Sequence, residues 1–106
     1  MPMYLVKVRL TPNGLQGLLK EGATARREVA DGMLRSLGGR LESIYWALGD
    51  DDVYLTAELP NNTAAAALGM VTSATGSVRT STVALLTAEE VDEAARQKVD
   101  YRPAGA

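Results

Sequence analysis

The chain has 106 residues, 46% of them hydrophobic and 23% charged, which suits one domain with a packed core. It contains no cysteine and no histidine. That excludes disulfides, thiolate zinc sites, iron–sulfur clusters, thiol nucleophiles, histidine-ligated metals and imidazole acid–base chemistry. The formal net charge of −2 argues against a nucleic-acid surface built on bulk positive charge.

No apolar run approaches the ~20 residues that span a bilayer. The opening Met1-Pro2-Met3-Tyr4 lacks the basic-then-apolar pattern of a secretion signal. A cytoplasmic location without membrane attachment is the expectation.

Residues 3–10 alternate, with Tyr4, Val6, Val8 and Leu10 on one face and Leu5, Lys7 and Arg9 on the other, which predicts a strand. Thr11-Pro12-Asn13-Gly14 is a turn that also offers helix caps. Apolar residues at three-to-four spacing then predict helix over roughly 13–37, open to interruption at Gly22 and Thr24. Gly38-Gly39 supplies a left-handed stop.

Residues 40–48 and 52–59 read as strands joined by Gly49-Asp50-Asp51, an antiparallel hairpin. Val53, Leu55, Ala57 and Leu59 share one face of the second strand. Pro60-Asn61-Asn62 caps a helix over about 62–74, and Gly76 closes it. Residues 77–86 are strand-like. Thr87 with Glu90 three residues on is a capping-box pattern, predicting a third helix over about 88–98 with Val91, Ala94, Ala95 and Val99 on its apolar side.

The order is β-α-β-β-α-β plus a C-terminal helix, the ferredoxin-like α+β arrangement with an antiparallel sheet. Residues 1–99 form a single domain in this reading, and 100–106 a loose tail. Two helices cover one face of the sheet. The other face collects Leu5, Lys7, Arg9, Tyr54, Thr56, Glu58, Arg79, Ser81, Val83 and Leu85, with Glu42, Ile44 and Trp46 expected beside them. Leu5, Ile44, Trp46, Val83 and Leu85 make that face greasy for a solvent face, which points to a homodimer or higher self-assembly.

The segment Leu37-Gly38-Gly39-Arg40-Leu41-Glu42-Ser43-Ile44-Tyr45-Trp46-Ala47-Leu48-Gly49-Asp50-Asp51-Asp52-Val53 resembles the signature region of the GYD-domain family. The resemblance extends more weakly to Thr11–Gly14 and to Gly76-Ser77-Val78-Arg79-Thr80. It implies the dimeric α+β barrel type, in which two ferredoxin-like sheets pack face to face, in small bacterial proteins without an assigned activity. Gly49 and Asp52 match the outer positions of the family's glycine–tyrosine–aspartate motif, while Asp51 stands where tyrosine is expected. No tyrosine role at that turn carries over to this chain, and no cofactor is implied.

Asp50-Asp51-Asp52 is the densest acidic cluster, but neighbours in extended chain point to opposite sides and no EF-hand spacing is present. A solvated turn is preferred over a cation site, so no metal is expected. Of Tyr45 and Trp46, only one can face any given pocket; the expectation puts Tyr45 in the helix-side core and Trp46 at the dimer. Arg26, Arg27 and Glu28 read as a solvated helix face, with Arg27–Asp31 as an i,i+4 pair. Gly14-Leu15-Gln16-Gly17 follows a strand, but no nucleotide-binding glycine pattern surrounds it.

Lys7, Arg9 and Arg79, with Tyr54 and Glu58 near, form a candidate floor for a small anion, against the plainer reading of ion pairing with Glu58 and Glu42. Three functions compete. A dimeric small-molecule binding or regulatory module, with its ligand between sheet and helices or between sheets, needs no catalytic acid or base. A cofactor-free oxygenase or isomerase-like enzyme would use Tyr54, Glu58, Lys7 and Arg9, and would be favoured by Glu58 or Lys7 buried in a closed pocket. A purely structural role would leave the second sheet face packed solid. Nucleic-acid binding is demoted, because the exposed side lacks stacking aromatics on its two central strands.

Overall fold

The computed structural model describes residues 1–105 of the chain; Ala106, the last residue of the expected tail, lies outside them. Eight elements follow in order: β1 (Met3–Leu10), α1 (Pro12–Glu21), α2 (Ala23–Ser36), β2 (Arg40–Trp46), β3 (Val53–Glu58), α3 (Asn62–Ala74), β4 (Val78–Leu85) and α4 (Ala88–Ala95). The four strands form one antiparallel sheet in the order β2-β3-β1-β4. This is the ferredoxin-like α+β fold, with α4 appended.

The caps follow from local chemistry. Thr11 accepts a hydrogen bond from the Gly14 N–H and opens α1, with Pro12 at its first turn. Asn61 does the same for α3 through the Ala64 N–H at 2.9 Å. At α4, the Thr87 hydroxyl and the Glu90 carboxylate exchange backbone bonds in a complete capping box. Helix α2 ends in a Schellman turn: Gly38 has φ +79°, and the Gly38 and Gly39 N–H groups bond the Arg35 and Leu34 carbonyls at 3.0 and 2.9 Å. The long helical stretch does break at Gly22, whose φ +89° and ψ 158° belong to a region open essentially to glycine alone.

The core lies between sheet and helices. Tyr4, Val6, Leu55, Ala57 and Leu59 meet Leu34 of α2 and Ala65 and Leu68 of α3, all buried. The Tyr4 hydroxyl crosses to Asn62 Oδ1 at 2.6 Å, which satisfies the polar tip of a ring that is otherwise buried. The expected inward set on β1 and β3 is the set observed.

Strand β2 differs from expectation. Ile44 pairs with Leu55 and Trp46 with Val53, so both turn to the helix face. Tyr45 pairs with Tyr54 on the opposite face and is 70% exposed. The expectation of Ile44 and Trp46 beside Leu5, and of Tyr45 in the core, is therefore corrected. The cause is a bulge between Leu41 and Ser43: Glu42 is the extra residue, and its insertion inverts the alternation that follows. A second correction concerns α2, where Asp31 pairs with Arg35 at 3.2 Å rather than with Arg27. The C-terminal helix, α4, is also shorter than expected, ending at Ala95 and leaving Val99 beyond it.

Candidate functional site

The helix face of the sheet does not fill completely. A cavity of about 340 Å³ lies between β1, β2 and β3 below and α1, α2 and α3 above. Its floor is Val6, Val8, Val53 and Leu55, with Ile44 and Trp46 on the β2 side. Its roof is Leu18 of α1 with Val29, Ala30 and Met33 of α2. Small residues leave the space. Gly14 and Gly17 line it from α1 and Ala30 from α2. No residue of α1 is buried, so this helix covers the cavity without being packed into the core.

Gly14 also fixes how α1 approaches the sheet. A Cβ there would come within 2.0 Å of the Ser77 carbonyl oxygen, so only glycine permits the contact. The same junction is closed by Thr11, whose hydroxyl donates to the Gly76 carbonyl at 2.7 Å and whose N–H donates to the Ser77 carbonyl at 3.1 Å.

The cavity wall is mainly apolar. Its only charged side chains are Glu21 and Arg26, which face each other at 3.6 Å across the α1–α2 junction, both about half exposed. The Thr72 and Thr75 hydroxyls, at the α3 end, are engaged by carbonyls of their own helix at 2.7 Å each. The Trp46 indole N–H has no hydrogen-bond partner among the described residues. Such a wall can hold an apolar body by burial, and it offers few groups for moving a proton.

The residues expected to carry an anion site lie on the other face. Lys7 stands opposite Tyr54 and Ser81, and Arg9 directly opposite Arg79, so these four of the five expected residues gather at one end of the open sheet. Glu58 does not join them. It pairs with Met3 at the far end of β1 and forms an ion pair with Arg40 at 3.2 Å. Leu5, Val83 and Leu85 share this open face, as their cross-strand pairing with Thr56, Leu5 and Met3 requires.

The three aspartates of the hairpin divide their work. Asp52 ties β3 to β1, its Oδ2 accepting from the Leu10 N–H and its own N–H donating to the Val8 carbonyl, both at 2.8 Å. The Asp50 carbonyl accepts from Arg9 Nε at 3.1 Å. Asp51 lies at 3.5 Å from the Tyr54 hydroxyl. Among the described residues no three acidic side chains converge on a common point.

Sequence patterns allowed a ligand between sheet and helices but pointed to charged residues of the other face for it. Val29, Met33 and Leu18 were legible as apolar helix positions, but a void between them depends on helix placement. Arg26, read as part of a solvated face, lies at the cavity rim.

A family model described as "GYD domain" matches residues 4–95. The chain belongs to the GYD domain family. The match covers all four helices and, but for the first residue of β1, every strand, so the signature around Gly38–Val53 and the ferredoxin-like frame belong to one family unit. No curated protein matches the chain. No helix of this GYD domain is long and apolar enough to cross a membrane among the described residues.

Proposed function

We propose that this GYD domain is a homodimeric binding module for a compact, mainly apolar small molecule held between the helices and the sheet. The observation that carries the reading is the cavity of about 340 Å³, whose charged groups are confined to the paired Glu21 and Arg26. Its size falls at the small end of ligand sites, which run from about 300 to 1,000 Å³. Such a site favours binding over reaction, because the groups named for the enzyme reading, Lys7, Arg9, Tyr54 and Glu58, line the opposite face of the sheet. The dimer part of the reading is supported by Met3, Leu5, Val83 and Leu85, which form an unpartnered apolar patch across β1 and β4.

Trp46 is the only tryptophan and lines the cavity, so its fluorescence reports on that site. Titration with the apolar fluorophore 1-anilinonaphthalene-8-sulfonate should quench Trp46 and saturate at one molecule per chain. Ala30→Leu, which projects three more carbons into the cavity, should weaken that binding about tenfold or more. Leu5→Ser, on the open face, should leave it unchanged. Equal binding by the Ala30 variant would remove the cavity as the site.

A further inference from the structure

Helix α4 is complete at its start and unsupported along its length. Its capping box is formed, yet every residue from Leu86 to Gly105 is exposed. It has eight residues, whereas an isolated helix shorter than about 12–15 residues is marginal in water. Val91, Ala94 and Ala95 form a stripe on one side, with no core beneath it. A segment of this kind needs a surface to lie on.

The open sheet face offers one. Arg9 and Arg79 are direct cross-strand partners, and like charges so placed repel. Lys7 follows two residues along on the same side of β1. None of these three cations has a carboxylate within ion-pair distance among the described residues. Tyr45 and Leu48, both largely exposed, belong to the β2 and hairpin side of the same end of the sheet. Helix α4 carries the complementary charge: Glu89, Glu90, Asp92 and Glu93, with no basic residue between Ala88 and Ala95. On a helical wheel Glu90 and Asp92 border the apolar stripe.

We propose that α4 is an exchanged arm: its apolar stripe seats on a second copy of this chain, with its carboxylates at that copy's Arg9–Arg79 end. The proposal rests on the homodimer part of the reading above. Strand polarity favours exchange over folding back. Leu85, from which the arm leaves, pairs with Met3, while Arg79 pairs with Arg9 at the other end of the strands. Six residues of strand separate the two ends, about 20 Å. Folded back through Leu86–Thr87, α4 would carry Glu93 only about 7 Å along that path, over Leu5 rather than Arg9. A two-fold axis between two open faces, running across the strands, instead brings the Leu85 end of one copy over the Arg79 end of the other. By symmetry both arms are then seated at once.

Sedimentation equilibrium on the full chain tests this. Arg79→Glu and Asp92→Arg should each raise the dimer dissociation constant about tenfold, and the two together should restore it to within about threefold. Val83→Glu, in the apolar patch that Leu5, Val83 and Leu85 form on that face, should dissociate the dimer whatever the arm does. A dimer sensitive to Val83→Glu but indifferent to both charge variants overturns the arm and leaves the dimer reading standing. A wild-type monomer overturns both. Charge-swap rescue of thermal stability in a species that stays monomeric would mean α4 folds onto its own sheet, and would also overturn the exchange.

Discussion

Leu41 and Ile44 stand three residues apart in β2, yet both turn to the helix face, opposite Ala57 and Leu55. Simple alternation forbids that, and the bulged Glu42 permits it. The bulge decides which aromatic enters the cavity wall, Trp46, and which joins the open face, Tyr45.

Deleting Glu42 should therefore straighten β2 without turning it over. Leu41 and Ile44 then stand two residues apart, and regular alternation keeps both on the helix face, opposite Ala57 and Leu55. The change in stability should stay below the roughly 2 kcal/mol that exposing one large apolar side chain costs. Urea denaturation measures it, and the emission of Trp46 should stay where it is in the parent. A loss above about 2 kcal/mol with a red shift of Trp46 would show that the bulge does not set the register.

The two glycines of α1 should respond in opposite directions. Gly14→Ala forces a Cβ to within 2.0 Å of a backbone oxygen, and either α1 or β4 must move. A loss of about 1–3 kcal/mol is expected. Gly17→Ala meets nothing within 4 Å and lies inside the helix, so it should stabilise by about 0.5–1 kcal/mol. Thermal unfolding of the two single variants distinguishes them, and equal effects would contradict the close approach of α1 to Ser77.

Tyr4→Phe isolates the one hydrogen bond that a core side chain makes to α3. The ring is 2% exposed and its hydroxyl donates to Asn62, which is itself exposed. Water can take up the Asn62 acceptor after the change, so the cost should stay near 0.5–1.5 kcal/mol. A loss above about 3 kcal/mol, measured by urea denaturation, would mean that the hydroxyl supports more than this bond.

Much of the frame was legible because its signals are local. Alternation in residues 3–10, the caps at Thr11, Asn61 and Thr87, and the glycine pair after α2 each act within a few residues, and each is found where the pattern predicts. The inward sets on β1 and β3 follow from the same period of two. Only the tertiary structure decided the rest. The Glu42 bulge depends on pairing with β3, since a strand read alone cannot reveal which residue its partner will skip. The separation of Glu58 from Lys7, Arg9 and Arg79 follows from antiparallel register, which places residues near in composition at opposite ends of one face. The cavity depends on where α1 and α2 settle above Trp46, a balance of small side chains against large ones that is summed over three elements and written in none of them.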